Sequence, residues 1–189
     1  MESFESVVAL VLEAEGFVVS GAVKFSVTRR TAKAMHKEVQ THGYEVDLVA
    51  ARADVLVLAT VKSFFGSRGV AAEDVAGDGR FGAHYKLLND SFIRDEVIAA
   101  AAKRYGYRED LVRLRLYAGR FAGPGKGIHE ARIRDMSGFE VFGPEEIASK
   151  LIDVAASKQY RDSPALAAVK LLKVAGRLRG GRQPATMPR

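Results

Sequence analysis

The chain has 189 residues, 48% hydrophobic and 28% charged, with no cysteine and no tryptophan. This is ordinary globular composition for one domain with an extension or for two small ones, and it argues against a disordered chain, a disulfide framework and thiolate-held zinc or iron–sulfur. The net charge is +6, and the six bases that follow the last acid, Asp162, account for all of it; a neutral body carries a basic end, which permits nucleic-acid binding without requiring it.

The start, Met1-Glu2-Ser3-Phe4-Glu5, is acidic where a secretory leader is basic. The apolar stretches 7–12 and 55–59 fall far short of the ~20 residues that span a bilayer. The expectation is a cytoplasmic protein with no membrane partner.

Residues 3–15 predict a helix, with Phe4, Val7, Val8 and Val11 in one stripe, Ser3 as N-cap and Gly16 as the stop. Residues 17–31 are β-rich, and Gly21 suggests a bend or bulge. Between Gly16 and Lys37 there is no acid, while Lys24, Arg29, Arg30, Lys33 and Lys37 are basic. Residues 44–51 and 54–63 predict a hairpin around Arg52-Ala53. If Ala51 pairs with Asp54, then Asp47 faces Leu58 and Glu45 faces Thr60. Alternation then gathers Glu45, Asp47, Leu58, Thr60 and Lys62 on one face. Val46, Leu48, Ala50, Val55, Val57, Ala59 and Val61 form an apolar face opposite; Leu56 and Leu58 make the first face partly apolar too, so the second strand is expected to be central in its sheet.

Residues 66–82 hold five glycines and predict a mobile loop. A helix follows over 84–105, then a strand over 111–121 with Arg113 and Arg115 on one face. A Gly/Pro turn leads to a further strand over 128–135. Pro144 and Pro164 open two helices, to about 158 and 178. The expected class is α/β. The domain reading is a core at 1–138, a helical extension at 139–180 and a basic tail at 181–189.

A helix bearing Glu5, a strand bearing Asp47, a hairpin, and Thr60-Val61-Lys62 on the next strand resemble the PD-(D/E)XK nuclease superfamily. The supporting sequences are FESVVALVLEAEGF and YEVDLVAARADVLVLATVKS, and the Holliday-junction resolvase and Mrr-type branches are the most similar. The resemblance covers roughly residues 3–120. It implies a restriction-endonuclease-like αβββαβ core with a mixed sheet. It also implies a metal-dependent deoxyribonuclease acting in repair, recombination or restriction. Asp47 and the Val61 backbone carbonyl would be ligands of Mg²⁺ or Mn²⁺, Lys62 would orient the attacking water, and Glu5 would support a ligand water or second ion. A homodimer is implied as well. The C-terminal helices offer apolar stripes for it (Ile147, Leu151, Ile152; Leu166, Val169, Leu171, Leu172), and these could equally pack back on the core.

Thr60 stands where the family has its second carboxylate. Either the acid has migrated, with Glu45 the first candidate and Glu38 the second, or the site has decayed. The alternative to a nuclease is therefore a catalytically degenerate DNA-binding or assembly module. Asp47 and Lys62 could also be a simple cross-strand ion pair. Lys24, Arg29, Arg30, Lys33, Arg113 and Arg115 are the candidate phosphate contacts on DNA. His36 and His42 lie six apart, not at the four of a zinc helix. The turn containing Lys126 fails the Walker pattern, because Arg120 and Gly127 stand where its first glycine and its Ser/Thr belong.

Overall fold

The computed structural model describes residues 2–30, 39–123, 127–157 and 163–178, the side chains of residues 30, 39 and 40 excepted. Helix α1 (Ser3–Ala14) buries Phe4, Val8, Ala9, Val11 and Leu12. Its N-cap is Glu2 rather than Ser3, because the Glu5 carboxylate turns back to accept the Glu2 N–H at 2.9 Å. Strands β1 (Val18–Arg30), β2 (Val39–Arg52) and β3 (Val55–Lys62) follow. After them come α2 (Ala72–Ala76), a 3₁₀ turn at Gly82–Tyr85, α3 (Lys86–Asn89), α4 (Ser91–Tyr105) and β4 (Val112–Ala118). The chain continues through α5 (Ile128–Arg134), β5 (Glu140–Phe142), α6 (Pro144–Ala156) and α7 (Pro164–Val174).

The five strands form one mixed sheet in the order β1-β2-β3-β4-β5. The first three are antiparallel, while β4 and β5 run parallel to β3. The α/β class and the helical C-terminal region agree with the sequence reading. One sheet face packs Leu48, Ala50, Val57, Ala59, Val61 and Tyr117 under α1 and Ile147 of α6. The other packs Val49, Leu56, Leu58, Leu114 and Leu116 against α2, α3, α4 and Ile133 of α5. With a core on both faces, β3 is buried along six consecutive residues, in keeping with Leu56 and Leu58 on one side and Val57, Ala59 and Val61 on the other.

The hairpin register differs from the expected one by two residues. Arg52 pairs with Val55 and the turn is Ala53-Asp54. Arg52 closes it by gripping the Asp54 carboxylate with two bonds, at 2.7 and 3.0 Å. A slip of two preserves the faces, so Asp47, Thr60 and Lys62 still share a side.

The bend expected at Gly21 lies at Ala22, whose φ of 52° is left-handed. Ala22 and Asp47 also form the missing rung of an otherwise continuous β1–β2 ladder. Val19, Leu48 and Ala50 on one side of that rung join the α1 core, whereas Val23, Phe25, Val27 and Val46 beyond it join the α4 core. Val46 therefore departs from the apolar face assigned to it, because the hairpin changes faces at Asp47.

Three other expectations are corrected. The helix over 84–105 is broken at Asp90, whose carboxylate caps α4 by accepting the Ile93 N–H at 3.2 Å. Residues 128–135 are helical, not extended: Glu130 and Arg134, one turn apart, form a 2.7 Å ion pair, and Ile133 alone is buried. The glycine-rich stretch holds α2 and is anchored where Val70 bridges Phe121, with Val70 and Ala71 fully buried. The short edge strand β5 was not foreseen. It joins the sheet, and α6 packs on α1, so residues 140–156 share the core. Leu166 is buried, while Leu171, Leu172 and Val174 of α7 stay exposed. No helix among the described residues is long and apolar enough to cross a membrane.

Candidate active site

The β2–β3 ladder ends at Leu48–Ala59. Beyond it, Val61 would have no strand partner on that side. The Asp47 carboxylate takes the place of one: its Oδ2 accepts the Val61 N–H at 2.7 Å and the Lys62 ammonium at 3.3 Å. In a strand, a residue's N–H and C=O project toward the same neighbour, so the Val61 carbonyl also faces the gap. The Lys62 carbonyl projects the other way, where it accepts the Gly119 N–H at 2.8 Å. Among the described residues no hydrogen bond falls on Asp47 Oδ1. Asp47 and Lys62 are 22% and 20% exposed, so the pair meets solvent in a partly sheltered notch. Thr60, between the two strands' functional positions, is 6% exposed.

The other predicted site residues stand differently. The Glu5 carboxylate is engaged with its own helix terminus. Glu45 points away from the α4 core that receives Val46, and it pairs with Lys24 at 3.5 Å on the exposed hairpin. Arg29 lies over the Phe92 ring at 5.7 Å. The backbone of Arg30 closes the β1–β2 ladder with Val39. Lys33, His36, Lys37, Glu38, Lys126 and the segment 181–189 lie outside the described residues. Arg113 and Arg115 neighbour Val57 and Ala59, on the α1 face, opposite Lys62. Arg113 is exposed and donates to the Asp110 carbonyl at 2.6 Å.

Arg115 is 14% exposed and holds the fold together. It pairs with Glu15 at 3.0 Å and Glu140 at 2.7 Å, between the rings of Phe17 and Phe142. Lys150 of α6 reaches the same Glu15 carboxylate. Burial alone would raise the Glu15 carboxyl, but hydrogen bonds from Lys150 and Arg115 outweigh it and hold the group below its ordinary value. Burial pushes the neighbouring Tyr117 hydroxyl up to about 12.

A group of residues that sequence reasoning missed lies beyond Lys62. The chain turns through Phe64, at a left-handed φ of 45°, and opens a cavity of about 440 Å³. Its walls include Lys62, Phe64, Arg68, Asp74, Phe81 and Tyr85. Asp74 is buried, accepting the Phe81 N–H at 3.0 Å and facing Arg68 at 3.4 Å. A Cβ at Gly79 would fall 2.1 Å from the Asp74 Oδ1, so only glycine fits there. The glycines read as a mobile loop were thus the available signal. They permit close packing around a buried acid.

No group of three or more acids and histidines that could hold a metal ion occurs among the described residues. Among the described residues, the Asp47 Oδ1 without a hydrogen bond and the Val61 carbonyl are the oxygens this gap offers. That donor set suits a hard cation that keeps most of its waters and takes further oxygens from substrate phosphates, which is the habit of Mg²⁺. It does not suit a dehydrated, all-protein cage.

No family model matches the chain, and no curated protein is similar to it. Among solved structures the chain is similar to one described as a "Protein of Unknown Function AF1548", with 15% identity and a TM-score of 0.45 over 92% of this chain and 77% of that one.

Proposed function

We propose that the protein is a Mg²⁺-dependent DNA endonuclease of PD-(D/E)XK type, hydrolysing phosphodiester bonds in repair, recombination or restriction. The observation that carries this reading is the notch where β2 leaves β3. There one carboxylate oxygen of Asp47 holds the Val61 N–H and the Lys62 amine, and the other is left with no hydrogen bond among the described residues. A bound Mg²⁺ would supply Lewis-acid charge at the phosphoryl oxygens and a more acidic water. Lys62 adds a fixed positive charge within reach of the same phosphate and can orient the attacking water. The Asp47 contact fixes the ammonium in place. The hairpin arm beyond Asp47 carries Lys24 and Arg29, which can neutralise flanking phosphates in a salt-dependent manner.

The test is direct. Supercoiled plasmid or branched DNA with purified protein is nicked or cut in Mg²⁺ or Mn²⁺ and left intact in a chelator. DNA left uncut under every metal condition contradicts the reading.

A second reading, a degenerate DNA-binding or assembly module, is favoured by Thr60 and by the engagement of Glu45 with Lys24. Thr60→Glu separates the two. The variant restores a second carboxylate beside Asp47, and Mn²⁺ affinity by calorimetry rises at least ~10-fold over a weak starting value. Gain of both affinity and cutting in Thr60→Glu alone identifies a decayed site. Tight Mn²⁺ binding by the unaltered protein that is lost in Glu45→Ala identifies a migrated acid. No gain in Thr60→Glu, with weak Mn²⁺ binding by the unaltered protein, argues that the notch is no metal site at all.

A further inference from the structure

Tyr85 is 1% exposed and lines the cavity beside Lys62. Its hydroxyl makes no hydrogen bond among the described residues, although the nearby Asp74 carboxylate is buried with it. Yet among those residues no side-chain polar atom is both sealed and unpartnered. The hydroxyl oxygen therefore keeps a small accessible surface, and the cavity is the space that Tyr85 lines. A buried donor that a fold leaves unspent is costly unless something completes it.

The rest of the cavity specifies the kind of molecule. Its volume of about 440 Å³ falls within the ~300–1,000 Å³ of small-molecule sites. Its walls are mainly apolar, with the rings of Phe64 and Phe81. Phe81 is 42% exposed, with the Arg80 guanidinium 5.4 Å from its ring centre. The charged side chains are Lys62, Arg68 and Asp74. Arg68 faces two acids, Glu73 at 2.7 Å and Asp74 at 3.4 Å, and Lys62 faces Asp47. Lys62 and Arg68 are the cationic donors that could take one anionic group, the aromatic side chains suit a flat ring, and Tyr85 offers a hydrogen-bonding edge.

We propose that the cavity receives one unpaired nucleotide of a DNA strand, its base among Phe64, Phe81 and Tyr85 and its phosphate toward Lys62 and Arg68. The inference shares Lys62 with the hydrolytic reading and otherwise stands apart from it. A strand held this way would lie with its neighbouring phosphate at the notch. Insertion is easiest where a base is already unpaired, so junctions, flaps and single strands bind better than intact duplex.

The experiment uses the full chain in a chelator, with short single strands carrying one 2-aminopurine. Binding raises the probe's fluorescence as the base leaves its neighbours. Deoxynucleoside monophosphate competes, and inorganic phosphate at the same concentration does not. Tyr85→Phe weakens binding about 10-fold, because a site built to hydrogen-bond loses its donor. Its melting temperature stays the same or rises. Phe81→Ala, at an exposed position, weakens binding and the fluorescence change while remaining folded. Unchanged affinity in both variants overturns the proposal, as does competition by phosphate equal to that of the nucleotide. If Tyr85→Phe melts lower, its hydroxyl is structural and Phe81→Ala alone decides. No signal in a protein that cuts DNA defeats the cavity assignment only. A Tyr85-dependent signal in a protein that never cuts defeats the hydrolytic reading only.

Discussion

Lys62→Met leaves DNA cutting at least ~100-fold slower, the scale of losing one preorganised electrostatic group at a phosphoryl site. Methionine keeps the length of the lysine stem and removes only the charge. The packing beneath the residue is therefore little disturbed. The lost contact is a single 3.3 Å bond and Asp47 keeps the Val61 N–H, so the change costs folding about 1–2 kcal/mol. Metal affinity is kept or improved, since a cation close to Asp47 has gone. Rate, melting temperature and Mn²⁺ titration on one preparation separate these effects. Cutting at the wild-type rate would remove Lys62 from the chemistry and return the Asp47 contact to an ordinary ion pair.

Glu15→Gln destabilises the fold by about 2–3 kcal/mol at neutral pH. Loss of one partner from a fully buried pair costs about 3–5 kcal/mol, and Glu15 keeps some solvent contact at 22% exposure. The variant leaves Arg115 with Glu140 alone and Lys150 without its acid. Because the folded Glu15 carboxyl lies below its ordinary value of 4.5, its contribution is complete above that pH. The contribution is lost as pH falls through the lowered folded value. Wild type and variant therefore differ in urea denaturation at pH 7 and converge in acid. A constant gap across that range would assign the cost to packing rather than charge.

Asp47 and Lys62 were legible because strand alternation fixes faces even when the register is wrong. The two-residue slip at Ala53-Asp54 moved every partner and no face. Glu45 stands with Lys24 on the exposed hairpin for a different reason. The hairpin changes sides at the missing Ala22–Asp47 rung, and no pattern within β2 announces that. Arg115 looked like half of an alternating basic pair. Its partner Glu15 is a hundred residues away, and only the assembled sheet brings them together. Residues 128–134 alternate polar and apolar well enough to mimic a strand, and the Glu130–Arg134 turn contact decides for helix. The cavity was hidden because glycines that let the backbone approach Asp74 have the same composition as a flexible loop.

Asp47, Val61 and Lys62 meet in one notch. Glu5 and Glu45 are turned to other partners, and Arg68, Asp74 and Tyr85 surround the far side of Lys62. Under the proposed reading, a single carboxylate with a carbonyl would leave most of a cation's coordination to water and DNA. Metal binding should then strengthen when DNA is present.

Single-turnover nicking of supercoiled plasmid by wild type and Asp47→Asn, in Mg²⁺ and in chelator, tests the central claim most directly. Asparagine keeps an oxygen for the Val61 N–H and removes the charge that a hard cation needs. The prediction is metal-dependent nicking by wild type, reduced at least ~100-fold in a folded Asp47→Asn protein that still binds DNA. Nicking by Asp47→Asn at the wild-type rate would contradict the assignment of this notch as the hydrolytic centre.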